Sequence, residues 1–281
     1  MPLNPDVIFF QESCVLSYSP PTLESSNWWD DLPDSSQRIS QLHTLLRSAG
    51  YQIVQADGCQ NPAMIATRLI IASVEPPFII DVDPFRSHML AQQPPELRSA
   101  RLVALKLGHA EDCAEFIAVV SHLHHKETLE NVGLRLAEVR SITRQLRASL
   151  LSRPQAATVF ATDFNCPRRQ DYNEREWSVI ARIKRKLGPL GEVEVDGVAE
   201  ELAREGFACT YGAAAPVLTH WSSTTVDFAY FRQPQRSYWT WYSDGSYVVS
   251  HKERDALSDH LPVVHDFKLV PGAAQPIASS S

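Results

Sequence analysis

The 281-residue sequence contains few cysteines, and none has the spacing that a metal ribbon or a disulfide framework needs. The five cysteines are odd in number and scattered without a Cys-x-x-Cys pair, which argues against a disulfide scaffold and favours a reducing compartment. No apolar run approaches the length of a membrane span, and the N-terminus lacks a basic segment followed by a long apolar one. These absences predict an intracellular protein, cytoplasmic or nuclear, without a membrane segment.

The sequence also lacks an excess of positive charge, since its formal net charge is −7. The chain as a whole is therefore not a polyanion binder, and any nucleic-acid binding must come from a local basic patch. No internal repeat and no Gly/Ser linker divides the chain. Its length and its 44% hydrophobic content suit one α/β domain over residues 1–270. Residues 271–281, which are rich in Ala and Ser, are expected to form a disordered tail.

Short apolar runs alternate with amphipathic segments along the chain. Runs of four to eight residues rich in Val, Ile and Phe predict buried strands at 7–10, 68–73, 78–81, 101–106, 115–121, 157–162, 226–231 and 262–269. Apolar residues at steps of three and four predict helices at 36–49, 128–151, 173–187 and 198–205. Because the strands come in clusters as well as singly, the order favours two packed sheets covered by helices.

Polar side chains stand at the ends of several predicted strands. Taken singly, a strand-end acid most often caps a turn, and a lone histidine is most often structural. In this chain the residues that stand at or beside such ends are Gln11, Glu12, His122, Asp163, Asn165, Asp227, Ser258, Asp259 and His260.

These residue types together match the needs of one reaction. The carboxylates of Glu12 and Asp259 are oxygen donors of the kind that Mg²⁺ prefers. Asp163 can orient or deprotonate a water, and Asn165 can donate a hydrogen bond to an anionic oxygen. The two histidines can donate protons to phosphate oxygens. The combination predicts metal-assisted attack of water on a phosphoester.

Five segments resemble, in order, the signature blocks of the endonuclease/exonuclease/phosphatase superfamily, whose members include deoxyribonuclease I-like enzymes. The resemblance covers residues 5 to about 270, and the nearest branch is the tyrosyl-DNA phosphodiesterase 2-like one. One block alone would be a weak signal, whereas five in order are a strong one. The segments are PDVIFFQES, VVSHLHH, FATDFN, TVDFAYF and SDHLPVV.

The resemblance implies a four-layer α/β/β/α sandwich of two packed mixed sheets flanked by helices, with the site at one rim. It also implies a hydrolase of phosphoester bonds, acting as a phosphodiesterase, nuclease or phosphatase. Glu12 would be the metal-binding carboxylate, and Asp259 a metal ligand or an acid supporting it. The implied cofactor is Mg²⁺, or alternatively Mn²⁺.

The resemblance further implies roles for five other residues. His122 would bind or polarise the phosphate, and Asp227 would orient a histidine, with His122 as the expected partner. Asp163 would align the attacking water, and Asn165 would hold a phosphoryl oxygen. His260 would contact the scissile phosphate. The implied substrate is phosphorylated: DNA ends, single strands and a small phosphoester all remain open.

The sequence departs from the superfamily near its N-terminus. Family members open with a strand that ends in a metal-binding Asn well before the Gln-Glu block. Only eleven residues precede Glu12 in this chain, and Asn4 lies in the loop before the first predicted strand. Either the chain is truncated or it is a divergent member that lacks this strand and ligand. A divergent member with a degraded metal site, repurposed for binding or for other chemistry, is the alternative function.

Further motifs predict contacts with substrate. Arg168 and Arg169 follow Asn165 closely and are candidates for attracting phosphate, the alternative being a solvated surface. Residues 237–249 predict a hairpin that turns at Asp244-Gly245. Its Trp239 and Trp241 are candidates for stacking on a base, although aromatic strands more often belong to the core.

The three histidines of the SHLHH segment allow a zinc site as an alternative. The His-x-His-x-Asp-His pattern of such hydrolases needs an acid where this chain has Lys126, which disfavours zinc. His124 and His125 are therefore expected at the rim or in solvent.

Overall fold

A computed structural model of the chain describes residues 4–11, 35–55, 63–76, 78–79, 99–108, 113–124, 129–187, 197–211, 218–219, 224–235, 237–249 and 260–271. These residues form twelve strands and four α-helices. The helices are α1 (Ser35–Ser48), α2 (Leu129–Ser152), α3 (Glu174–Leu187) and α4 (Val198–Arg204), and a short 3-10 turn spans Arg169–Asp171. The strands are β1 (Val7–Phe10), β2 (Gln52–Gln55), β3 (Met64–Thr67), β4 (Ile70–Val74), β5 (Phe78–Ile79), β6 (Ser99–Leu107), β7 (Ala114–His122), β8 (Ala157–Asp163), β9 (Ala208–Cys209), β10 (Asp227–Arg232), β11 (Trp239–Val248) and β12 (Val263–Pro271).

The largest sheet has the order β4-β6-β7-β8-β10-β9, with β5 also pairing β6. Its central strands β7 and β8 are parallel, and the long helix α2 connects them. Every residue of both strands is buried, as their almost continuous apolar sequences predict for strands covered on both faces. The neighbouring pairs β6-β7 and β8-β10 are antiparallel, so the sheet is mixed.

Two apolar clusters cover the two faces of this sheet. On one face, Ile142 and Leu146 of α2 and Leu202 of α4 pack against strand residues such as Phe160. On the other face, Ile65 and other residues of the β1-β3-β2 sheet, together with residues of the β11-β12 ribbon, pack against β6, β7 and β8.

A third cluster places α1 outside the β1-β3-β2 sheet, where Leu46 packs with Tyr51 and Met64. Helices therefore flank two packed layers of strands, and the four-layer α/β/β/α sandwich is confirmed. No helix in the described ranges combines the length and the apolar character that crossing a membrane requires.

The predicted elements agree with the structure except at the C-terminal aromatic segment. Each of the four predicted helices is present to within one residue at either end. Strands β2, β3 and β9 were not predicted, because β2 and β3 have four residues each and β9 has two. The predicted hairpin is wrong: β11 runs through Asp244-Gly245 and pairs with β12, and the register shift between Ser243 and Gly245 is a β-bulge. The predicted tail lies outside the described residues, apart from Pro271 at the end of β12.

A half-buried histidine anchors β12 to the core. His265 Nδ1 lies 2.9 Å from Thr210 Oγ1 and 2.8 Å from Ser246 Oγ, and its ring packs edge-on against Tyr211. Burial lowers the pKa of His265 from 6.5 to about 4. The neutral ring is therefore the form that the fold accepts, while the unfolded chain takes up a proton below the ordinary pKa.

This difference predicts a pH-dependent loss of stability. The contribution of His265 is fully present above pH 6.5 and is lost as the pH falls towards about 4, because only the unfolded state binds the proton in that interval. The loss amounts to at most roughly 3 kcal/mol of unfolding free energy. Urea unfolding of the wild type and of His265→Asn at several pH values in that interval measures it. The variant should lose less stability on acidification, and equal losses would contradict the assignment.

Candidate active site

Strand register brings three polar side chains into one row across the large sheet. His122 at the end of β7 is paired with Asp163 at the end of β8, and Asp163 is paired with Asp227 at the start of β10. Because side chains alternate between faces, these residues share a face with Ala118 and Val159, which pack against the second layer of strands. The row therefore lies at one rim of the sandwich, on the inner face of the sheet.

The segment before β12 adds a histidine to this row. His260 Nδ1 lies 2.8 Å from Asp227 Oδ2, and His260 Nε2 lies 3.8 Å from Asp163 Oδ2. The next residue, Leu261, donates its backbone N–H to the carbonyl of Thr219 at 2.8 Å. This bond holds the segment against the rim, so His260 lies beside both carboxylates.

Asn165 completes the cluster through a left-handed backbone conformation with φ 52°. Its backbone N–H donates to Asp163 Oδ1 at 2.7 Å, which closes a tight turn directly after β8. Its side-chain Nδ2 donates to the carbonyl of Leu123 at 2.9 Å and lies 3.0 Å from His122 Nε2. His122 Nε2 is in turn 3.4 Å from Asp163 Oδ2. The turn thus directs the amide back across the row towards β7.

The two carboxylates differ in their electrostatic surroundings. Burial acts to raise the pKa of Asp163, but the hydrogen bond and charge of His122, the charge of His260 and the backbone N–H of Asn165 together lower it below its ordinary value. Burial raises the pKa of Asp227, and the charge of Asp163 adds to this rise against the hydrogen bond from His260. Asp163 is therefore the carboxylate that carries the negative charge most readily.

The partner of Asp227 differs from the one that the resemblance implied. Asp227 was expected to orient His122, whereas its hydrogen bond is with His260. The reason is the strand order, since Asp163 on β8 lies between the strands that carry Asp227 and His122. The side chains of His260 and Asp227 are 28% and 15% exposed, against 6% for Asp163. Solvent therefore reaches the cluster from the His260 side.

Three of these residues form a donor set for a metal ion. Asp163, Asp227 and His260 each offer one ligand atom, and these atoms lie within 4.8 Å of one another. Two carboxylates and one imidazole suit a divalent cation. The metal ligands that the sequence predicted, Glu12 and Asp259, lie outside the described residues.

The predicted arginine contacts do not reach this cluster. Arg168 is 7% exposed and bonds Asp171 through two nitrogens, at 2.7 and 2.5 Å. Its guanidinium also lies 5.1 Å from the centre of the Phe228 ring. Arg168 is therefore buried and held by Asp171 and Phe228, and its role as a phosphate ligand stays a prediction. Arg169 is more exposed and forms an ion pair with Glu174.

The predicted stacking tryptophans belong to the core. Trp241 is 3% exposed and packs against Phe116, Phe231 and Phe267. Trp239 is half-buried beside the same cluster. Both point inward because alternate residues of β11 face the large sheet. Trp241 is packed inside the core, and its role in stacking on substrate stays a prediction.

Other residues that support the site were not predicted. Thr219 Oγ1 accepts hydrogen bonds from the backbone of Val226 and Asp227, at 3.1 and 3.3 Å, and so holds the start of β10. A threonine between strands gives no sequence signal for this role. His124, expected at the rim, is instead hydrogen-bonded to the buried Glu138 of α2. The sequence signal for this contact is the charged residue Glu138 at a position of α2 that faces the core.

Comparison with solved structures identifies the fold. The catalytic domain of human Nocturnin with bound sulfate matches with a TM-score of 0.54 at 15% identity, over 95% of this chain and 81% of that one. An endonuclease/exonuclease/phosphatase protein of Beutenbergia cavernae matches with a TM-score of 0.55 at 15% identity, over 96% and 64%. A humanized D. rerio TDP2 matches with a TM-score of 0.50 at 15% identity, over 94% and 85%. No protein-family model and no curated protein matches the sequence.

These matches extend over nearly the whole chain and include a protein described as an endonuclease/exonuclease/phosphatase. The chain has the fold of the endonuclease/exonuclease/phosphatase superfamily. The resemblance that the five sequence segments indicated is thereby confirmed at the level of the fold. Nocturnin and TDP2 match with similar scores, so the fold does not favour one branch over another.

The backbone of Asn165 predicts how substitutions there affect stability. An alanine in the left-handed region costs about 1 kcal/mol, whereas glycine adopts it freely. Both substitutions remove the amide, so Asn165→Ala should unfold at lower denaturant concentration than Asn165→Gly, by about 1 kcal/mol of unfolding free energy. Urea unfolding of the two variants measures the difference. Equal or reversed stabilities would show that this turn does not constrain the residue.

Proposed function

We propose that the protein is a metal-dependent hydrolase of phosphoester bonds that uses an activated water. The observation that carries this proposal is the convergence of five polar side chains at one rim of the sandwich. They come from three strands, one tight turn and the segment before β12. The convergent residues are His122, Asp163, Asn165, Asp227 and His260.

Asp163 is suited to orient the attacking water. Its lowered pKa keeps it ionised at neutral pH, and the same property makes it a weak proton acceptor. It therefore acts by accepting a hydrogen bond from the water and fixing its direction. Positioning of this kind removes much of the entropic barrier to attack.

Asn165 and His122 are suited to hold a phosphoryl oxygen. One amide hydrogen of Asn165 is committed to the carbonyl of Leu123, which fixes the plane of the side chain. The 3.0 Å contact between Asn165 Nδ2 and His122 Nε2 is the one that a phosphoryl oxygen would replace. Donors fixed in advance towards developing negative charge stabilise it at little cost in reorganisation.

His260 is suited to donate a proton to a phosphate oxygen. Its Nδ1 is paired with Asp227, which orients the ring. The ring is more exposed than the side chains of His122, Asp163 and Asp227, so a substrate would approach from this side. The bound sulfate of the Nocturnin structure, a tetrahedral oxyanion like phosphate, agrees with this class of ligand for the shared fold.

We assign the metal to Glu12 and Asp259, with Mg²⁺ as the ion and Mn²⁺ as a substitute. At the rim of the sandwich, Asp163 and Asp227 offer carboxylate oxygens and His260 offers a ring nitrogen. A bound cation would supply neutralisation of the charge that develops on the phosphoester. The substrates that we propose are DNA ends, single strands or a small phosphoester, because the net charge of −7 disfavours broad duplex binding.

Loss of the Asp163 charge should abolish hydrolysis. Asp163→Asn keeps the shape of the side chain but weakens its hold on water, so kcat/KM should fall by about 10²-fold or more. The measurement is a panel of nucleotide, inositol, lipid and tyrosyl phosphoesters with Mg²⁺. Asp266→Asn makes the same change at an exposed position of β12 and should leave kcat/KM unaltered. Full hydrolysis by Asp163→Asn would contradict the proposed role.

Binding of Mg²⁺ should raise the melting temperature. A ligand that binds only the folded state at about a hundredfold excess over its Kd adds about 2.7 kcal/mol of stability. The shift should disappear in Glu12→Gln and in Asp259→Asn, and it should persist in Glu200→Gln, which alters an exposed residue of α4.

Two other results would redirect the proposal. A shift that survives both substitutions but disappears in Asp227→Asn would assign the ion to the Asp163 cluster instead. The absence of any shift, together with no hydrolysis across the panel, would favour a divergent member whose metal site is degraded.

A further inference from the structure

Helix α2 carries two ionisable side chains that are fully buried. Arg135 is 1% exposed and Glu138 is 0% exposed, although charged side chains are rarely removed from water. They stand three residues apart, on the turns that lead into the apolar face formed by Val139 and Ile142. Burial of such groups is costly unless specific hydrogen bonds compensate for it.

Both side chains bond to a single residue, His124, just after the end of β7. Glu138 Oε2 accepts the backbone N–H of His124 at 3.0 Å, and Glu138 Oε1 lies 2.5 Å from His124 Nδ1. Arg135 donates from a terminal guanidinium nitrogen to the backbone carbonyl of His124 at 3.0 Å. Side chains of α2 therefore form hydrogen bonds with both the backbone N–H and the backbone C=O of His124.

The neighbouring residue, Leu123, is bonded to the site on its other side. Its backbone N–H donates to the carbonyl of Asp163 at 3.2 Å, and its carbonyl accepts the Asn165 amide at 2.9 Å. Leu123 itself is completely buried. The peptide segment 123–124 therefore lies between α2 and the active-site row, with hydrogen bonds to both.

We propose that Arg135 and Glu138 are positioning residues of the active site. They fix the peptide planes around His124, and these planes set the direction of the Leu123 carbonyl. That carbonyl holds the Asn165 amide in the plane from which it reaches His122 and a phosphoryl oxygen. The catalytic consequence rests on the proposed phosphoester hydrolysis, whereas the structural one does not.

The type of contact supports positioning over packing alone. Apolar residues would anchor α2 to the sheet equally well, as Ile142 and Leu146 do one and two turns further on. Hydrogen bonds to charged groups have a preferred direction and are stronger than neutral ones. Two such groups on one residue determine the orientation of its peptide planes, which apolar packing leaves free.

The first test is a double-mutant cycle between Glu138 and Asn165. Glu138→Leu removes both contacts while filling the space, and Glu138→Gln keeps one acceptor and one donor in the same shape. Each is measured in the wild type and in Asn165→Gly, which removes the amide and tolerates the turn. The assay is hydrolysis of bis(p-nitrophenyl) phosphate with Mg²⁺, below the melting temperature of the least stable variant.

The expected result is a loss of kcat whose size depends on the presence of Asn165. Glu138→Leu should lower kcat by about 10-fold or more with little change in KM, because a misplaced amide weakens transition-state contacts. Glu138→Gln should recover most of the rate. In the Asn165→Gly background, Glu138→Leu should cost less than about 3-fold, since coupled residues are not additive.

A control on the same helix separates positioning from stability. Leu146→Ala creates a cavity two turns further along α2 and lowers the melting temperature without removing a hydrogen bond to segment 123–124. It should leave kcat unchanged. The proposal is overturned if Leu146→Ala lowers kcat as much as Glu138→Leu does, or if the effects of Glu138→Leu and Asn165→Gly multiply independently.

A second measurement needs no activity. The side-chain amide protons of Asn165, assigned by their loss in Asn165→Gly, should shift and exchange faster with solvent in Glu138→Leu than in Leu146→Ala. If the wild type hydrolyses no phosphoester, the proposed function fails, and this amide signal still decides the positioning. An unaltered Asn165 amide in Glu138→Leu would overturn the inference whatever the activity.

Discussion

The pairing register of β8 is the constraint on which the site depends. Asp163 lies opposite His122 on one neighbouring strand and opposite Asp227 on the other, so a single register places all three. A slip of one residue would turn Asp163 towards the helices and bring Thr162 into the row. The register is held because Val159 and Phe160 fit into different cores on the two faces of the sheet. Packing of the apolar strand thus determines the geometry of the polar rim.

This geometry places two carboxylates close together in a largely buried position, where imidazoles and backbone or hydroxyl donors accompany them. Asp163 faces His122 and His260, while Asp227 is paired with His260 from the other side. The result is asymmetric: the pKa of Asp163 is lowered and that of Asp227 is raised. Neighbouring acids that differ in this way are assigned different roles in a reaction. Asp163 is suited to direct a water, and Asp227 to orient a ring.

The sequence predicted the layers and the convergence, because both follow from local pattern. Apolar runs and helical periodicity are properties of short segments, and polar residues at strand ends meet wherever those ends share a rim. The hydrogen-bond partner of a side chain depends on strand order, which the local sequence pattern does not contain. The predicted partner of Asp227 was therefore wrong. Arg168 and Trp241 were predicted to contact substrate and lie buried, because their chemistry suits burial as well as substrate binding. The Asp244-Gly245 pair predicted a hairpin turn. Strand β11 instead continues through this pair and pairs with β12, and the pair lies at a β-bulge.

One departure from the sequence pattern did carry information about the site. Arg135 and Glu138 interrupt the apolar side of α2 at core spacing, which conflicts with simple amphipathic patterning. Conflicts of this kind concentrate where a protein trades stability for function. The structure resolves the conflict, since both side chains bond to His124, one residue beyond the Leu123 carbonyl that orients Asn165. The two charged residues at core positions of α2 therefore connect this helix to the segment that lies beside the row of His122, Asp163 and Asp227.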